Sequence, residues 1–154
     1  MKADKRIYRV GLSGSYGGLN LGDKAILESM ITQLRASVPA RITVFSRNTD
    51  DTRRRHRVDH VVGVRECVRK DARRLVEELD VFVLGGGGIL YDEDAETYLR
   101  EVLLAHEAGV PVMVYAVSAG PLMRKANREL VRDALNHAAL ITVRDLACAF
   151  VWLA

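Results

Sequence analysis

A carboxylate set among glycines is the arrangement in this chain best suited to chemistry. Residues 14–27 read Gly-Ser-Tyr-Gly-Gly-Leu-Asn-Leu-Gly-Asp-Lys-Ala-Ile-Leu, with Asp23 near the end of the run. Glycines permit positive φ and close backbone approach, and the first N–H groups of a helix starting here would carry a partial positive charge. A phosphate or carboxylate would sit well against them. An ionised Asp23 beside that anion could accept a proton from a hydroxyl, or simply orient it. Gly22-Asp23 would equally suit a plain helix cap. The residues of this turn leave both readings open.

Three further groups could share the same site. Gly85-Gly86-Gly87-Gly88 runs on into Ile89-Leu90-Tyr91-Asp92. Four glycines in a row lose much conformational entropy on folding, so they predict a place where a side chain would collide with a ligand or a neighbouring loop. Ser118-Ala119-Gly120-Pro121-Leu122 and Arg144-Asp145 are the other two. Arg144 offers a planar fork of donors to a phosphate or carboxylate, or to a structural acid such as Asp23 or Asp145.

These groups need a frame, and the pattern supplies one. Compact apolar runs at 8–13, 42–45, 81–84, 112–117 and 140–143 predict buried strands, with a short addition at 61–62. Helical spacing predicts helices at about 24–36, 66–79, 95–108 and 126–138, and residues 47–60 read as irregular. Strand and helix alternate, so the expected fold is α/β, a Rossmann-like doubly wound parallel sheet in a single domain over residues 1–154. In such sheets ligands bind beyond the carboxyl ends of the strands, and all the loops above follow strands.

Several function classes lack their signatures. The first turn is not Gly-x-Gly-x-x-Gly, and the second strand ends in Ser46-Arg47-Asn48 without an acid for a ribose. Gly22-Asp23-Lys24-Ala25 is no phosphate loop, and Ser118 lacks the glycine two places earlier that a nucleophile elbow needs. Cys67, Cys148 and the 4 His have no ligand spacing, so neither metal nor cofactor is expected. No apolar run is long enough to span a membrane and no cleavable signal pattern opens the chain, which suggests a cytoplasmic protein. The net charge of +3 is modest and the pI is about 9.0. Arg53, Arg54, Arg55 and Arg57, with Arg65, Arg69, Lys70, Arg73 and Arg74, are read as mainly a solvated surface, interleaved with Glu66, Asp71, Glu77 and Glu78. With 1 Trp, 5 Tyr and 3 Phe in the chain and no aromatic among those arginines, nucleic acid is not an expected partner.

Taken in order, the loops resemble the polysaccharide pyruvyl transferase family. A Gly-x-x-Gly-x-x-Asn-x-Gly-Asp-x-Ala-Ile pattern is met by Gly14, Gly17, Asn20, Gly22, Asp23, Ala25 and Ile26. A Gly-Gly-Gly-x-Leu-Leu-x-Asp pattern is met by Gly85, Gly86, Gly87, Leu90 and Asp92, and later come Gly120-Pro121-Leu122 and Thr142-Val143-Arg144-Asp145. The chain departs at Gly88, where the family often has a small hydroxyl or amide, and at Ile89, where it often has Leu.

The resemblance implies a phosphoenolpyruvate donor, a glycan acceptor that is free or lipid-linked, and a pyruvate ketal on a cell-surface polysaccharide. It implies Asp23 as the catalytic residue and Gly17, Asn20, Gly22, Gly86, Gly87, Gly88 and Arg144 as substrate-binding residues. It also implies the N-terminal half of a GT-B fold, with a second α/β domain absent from these 154 residues and little activity from this half alone. The apolar stretch at 146–154 then either packs under the sheet as a last core helix or offers Phe150, Trp152 and Leu153 to that domain or to another subunit, and self-association is expected. Two alternatives share the frame: a GT-B-like glycosyltransferase domain using a nucleotide sugar, and a non-catalytic interaction module.

Overall fold

The computed structural model describes residues 6–64 and 66–144. Asp145 and the apolar stretch at 146–154 lie outside the described residues.

Among the described residues eleven elements alternate: β1 (Tyr8–Ser13), α1 (Leu21–Ser37), β2 (Ala40–Ser46), α2 (Thr49–Arg55), β3 (His60–Gly63), α3 (Arg69–Glu77), β4 (Val81–Leu90), α4 (Ala95–Glu107), β5 (Val112–Ala119), α5 (Lys125–Asn136) and β6 (Leu140–Val143). The strands form one sheet in the order β3-β2-β1-β4-β5-β6, every pairing parallel. This is the α/β Rossmann-like arrangement, and its strand order reverses between β1 and β4. Loops after those two strands therefore run to opposite faces and leave a crevice between them.

Each face is closed by an apolar layer. On one, Leu27, Met30 and Ile31 of α1 cover Val10, Leu12, Ile42, Val44 and Val83. On the other, Val76 of α3, Leu99 and Val102 of α4 and Val131 of α5 cover Phe45, Phe82, Leu84, Val112 and Val114. Phe45 and Phe82 meet at 5.6 Å between ring centres. Helix α1 begins at its Asn20 cap, and Pro39 follows just beyond Val38 at its end.

Three boundaries differ from the sequence reading. Residues 47–60 are not wholly irregular, because α2 occupies Thr49–Arg55. Its apolar signal is negligible: it is held by the Asn48 cap, by Arg55 on Asp51 at 2.7 Å, and by Lys24 of α1 on Asp51 at 3.4 Å. Next, α1 starts three residues before the expected position, so Asn20 is the cap and Asp23 lies in the first turn. Last, the four glycines are not a loop after β4 but part of the strand itself.

That third difference shapes the sheet at its centre. Gly85 pairs with Tyr115 and Gly87 with Val117, so Gly86 and Ala116 stand opposite each other. Both are left-handed, with φ of 63° and 50°. The two neighbouring strands thus kink together. Thr142 of β6 secures the Ala116 kink, its Oγ1 accepting the Ala116 N–H at 2.9 Å. A side chain in this conformation is strained, and at Gly86 a Cβ would also strike the Ile26 side chain.

Gly86→Ala should therefore destabilise the chain by about 1–3 kcal/mol, whereas Ala116→Gly should stay within about 1 kcal/mol of wild type. Urea unfolding measures both. Equal losses at the two positions would contradict the paired kink.

Candidate functional site

The site is built where α1 lies against the glycine stretch of β4. Tyr16, from the turn after β1, is 1% exposed and donates its hydroxyl to the Gly85 carbonyl at 3.0 Å, with the Met30 sulfur at 3.3 Å. Burial, and then the negative charge of Asp23, push its phenol well above the ordinary value, so it stays a donor. One helical turn along, Ile26 fills the space that a Gly86 side chain would need. Just beyond these two anchors along β4 the Asp23 carboxylate faces Gly87, its Oδ1 3.4 Å from where a Cβ on that residue would stand. Gly87 is also left-handed, at φ 94°, so β4 passes the carboxylate as bare backbone.

The other expected site residues fall into two groups. Gly86 and Gly87 share the crevice with Asp23. Asn20 is exposed at the mouth of the turn, but its Oδ1 accepts the Gly22 N–H at 2.8 Å, so one of the helix's first donors is already used. Gly17 faces another way: a side chain there would collide with Ser46 and the Asn48 backbone, so its missing side chain serves the packing of the turn against the end of β2. Gly88 is exposed and abuts the Tyr91 hydroxyl. Arg144 follows β6 at the same edge of the sheet, two strands beyond β4 and so about 10 Å from it in strand spacings. Lys24, next to Asp23, turns away to Asp51.

A second joint ties the remaining loops together. Asp92, just beyond β4, accepts the Met123 N–H at 2.7 Å and the Arg124 N–H at 3.2 Å, and takes the Asn127 amide at 3.0 Å. It thereby caps α5 from another segment, a duty its place in the sequence pattern did not disclose. Tyr91 lies against Gly120, where any side chain would overlap its ring. The Gly-Pro-Leu turn is thus seated on the end of β4.

Sequence reasoning also missed Tyr16 and gave Arg47 no role in a site. Arg47 donates Nη2 to the Ser15 hydroxyl and to the Tyr98 hydroxyl at 3.0 Å. Its one visible signal was its position directly after β2. A cavity of about 560 Å³ lined by Arg9, Arg41, His60 and Leu79 lies near the start of β1 and β2 and beside β3, and none of the expected site residues line it. Among the described residues no cluster of three His, Cys, Asp or Glu could hold a metal ion, and no helix is long and apolar enough to cross a membrane.

Comparison with known proteins places this geometry in context. The family model for polysaccharide pyruvyl transferase matches residues 20–147. No curated protein matches the chain. Among solved structures, a Listeria monocytogenes protein described as a UDP-N-acetylglucosamine 2-epimerase is similar over 96% of this chain at 10% identity, with a TM-score of 0.61. A Bacteroides thetaiotaomicron protein described as an epimerase is similar over 71% at 15% identity, with a TM-score of 0.47. The first likeness shows a shared GT-B-like fold and nothing finer. The chain spans 42% and 47% of these two proteins.

The Asp92 joint predicts a pH dependence. Its carboxyl is held below the usual value first by the Asn127 hydrogen bond, partly opposed by desolvation, and then by the Met123 and Arg124 amides. A depressed folded-state pKa stabilises the fold above the unfolded value of 3.8, and that contribution is lost as pH falls through the folded value. The melting temperature of wild type should exceed that of Asp92→Asn by a constant margin at about pH 5–6, and the margin should shrink below about pH 4. A margin unchanged down to about pH 3 would contradict the cap.

Proposed function

The chain belongs to the polysaccharide pyruvyl transferase family, and from that premise we propose that it forms one wall of a cleft that moves a pyruvyl group from phosphoenolpyruvate onto two hydroxyls of a polysaccharide sugar. The observation that carries this reading is the Asp23 carboxylate facing the bare backbone of Gly87 at the point where the strand order reverses. An acceptor hydroxyl placed against Asp23 can be oriented and relieved of its proton. Gly88 is exposed just beyond the buried Gly87 that faces Asp23, which lets the flat enol ester approach the end of the glycine stretch without meeting a side chain there, and Arg144 lies along the same edge to meet a carboxylate or phosphate.

The overall chemistry balances without an added reagent. One hydroxyl oxygen bonds to C2 of phosphoenolpyruvate while C3 gains a proton and becomes a methyl group. The C2–O bond to phosphate then breaks with its electron pair leaving on phosphate, and the second hydroxyl oxygen closes the ketal at C2. Of the two hydroxyl protons, one is matched by the proton gained at C3 and the other leaves with inorganic phosphate. Asp23 is placed to serve the hydroxyl side of this sequence, and cationic groups to serve the departing phosphate.

In the same proposal a second α/β domain supplies the opposite wall. The support is that this chain spans 42% of the Listeria monocytogenes protein whose fold it shares. The acceptor belongs to a cell-surface glycan, and the reaction is assigned to the cytoplasm.

Purified 154-residue chain should release no phosphate from phosphoenolpyruvate in the presence of glycan; turnover by it alone would contradict the two-wall cleft. In the protein complete with its second domain, Asp23→Asn should lower turnover by about 10²-fold or more while changing phosphoenolpyruvate affinity only a few-fold. Titration against a nucleotide sugar is the companion measurement. Displacement of phosphoenolpyruvate by it would favour a glycosyltransferase.

A further inference from the structure

We infer that Arg47 is a phosphate-binding residue of this cleft, held ready by Ser15 and Tyr98. The inference rests on the reading above for the identity of the substrates, and on the local geometry for the site.

Arg47 is exposed and comes directly after β2, at the carboxyl edge of the sheet where ligands gather. Its guanidinium is reached over by no acid: both of its hydrogen-bond partners are neutral hydroxyls, Ser15 Oγ and Tyr98 Oη, and it pairs with no carboxylate among the described residues. Several other arginines are instead neutralised by an acid. Arg55 meets Asp51, Arg69 meets Glu107, Arg73 meets Glu77 and Arg100 meets Glu101. Arg47 therefore keeps its charge uncompensated at the edge where the substrates are placed.

It is also held in place. Both bonds use Nη2, one to the turn after β1 and one to the first turn of α4, and the guanidinium carbon lies 5.9 Å from the centre of the buried Tyr98 ring. Nε and Nη1 remain to donate to an anion. Two donors on one rigid plane suit two oxygens of a phosphate. The neighbouring position is Gly18, where a Cβ would stand 3.9 Å from Arg47 Nη2 with no closer atom than that distance. Any longer side chain at 18 would begin to cover the guanidinium. Glycine leaves the approach open.

The phosphate has two possible sources, the phosphoenolpyruvate donor or the diphosphate linking a glycan acceptor to a carrier. Nuclear magnetic resonance titration of the whole chain with inorganic phosphate, phosphoenolpyruvate and a soluble prenyl diphospho-sugar separates them. The side-chain Nε signal of Arg47 is followed together with the melting temperature. Arg47→Gln should weaken the probe that uses this site by about ten- to hundredfold, and Arg47→Lys should restore part of that affinity. Asp23→Asn should leave inorganic phosphate binding within a few-fold of wild type.

Loss confined to phosphoenolpyruvate assigns the donor phosphate, and loss confined to the diphospho-sugar assigns the acceptor. If wild type does not bind phosphoenolpyruvate the proposed donor falls, and Arg47 is judged on the other two probes. Unchanged affinity for all three probes in Arg47→Gln, or a lowered melting temperature with unchanged affinity, would overturn the inference and leave Arg47 a purely structural tie.

Discussion

The structure depends on one close approach: helix α1 lying against a stretch of β4 that has no side chains. Tyr16, Ile26 and Asp23 reach Gly85, Gly86 and Gly87 in turn, so a hydroxyl, a methyl group and a carboxylate are stacked along three residues of bare strand. Ordinary strand residues would push the helix away and fill the crevice. The glycines are therefore explained first by the protein's own packing, and only at Gly87, where the neighbour is a carboxylate rather than a carbon atom, by an opening for something else.

This approach carries a conformational penalty that the sheet shares between two strands. Gly86 and Ala116 stand opposite each other in left-handed conformations, and Thr142 extends the arrangement into β6. Beyond the kink, Asp92 caps α5 and Tyr91 fits against Gly120. The loops after β1, β4 and β5 are thus joined pairwise. A ligand seated on one of them meets a single rigid edge, which is what orienting two reacting groups requires.

Much of the frame was legible in the chain because buried parallel strands are nearly continuous apolar runs, and all six were placed by that signal. Helix α2 was not, since Thr49–Arg55 is polar throughout and is fixed by caps and ion pairs instead of an apolar stripe. Tetraglycine read as a loop because glycine disfavours strands by itself. What keeps it in β4 is the pairing of Gly85, Gly87 and Gly88 with β5 on one side and the fit of α1 on the other, neither of which is local in sequence. For the site, the order of motifs pointed to Asp23 and the glycines. It did not reveal that Gly17 serves the β2 turn or that Asp92 caps α5, because each of those duties is a contact with a distant segment, and it left open which residue of the local Asn20–Asp23 run caps α1.

Arg47 shows the same limit from the other side. Nothing beside it in sequence suggests a role, and its interest comes from Ser15, Gly18 and Tyr98, which only the fold assembles. The central claim, that the side-chain-free end of β4 and Asp23 make one wall of the cleft, is tested most directly by a crystal structure of the protein with phosphoenolpyruvate bound. The account predicts the ligand at the Gly87–Gly88 end of the glycine stretch with its C2 side towards Asp23. Density for it in the cavity lined by Arg9 and Arg41, at the opposite ends of the strands, would contradict the account.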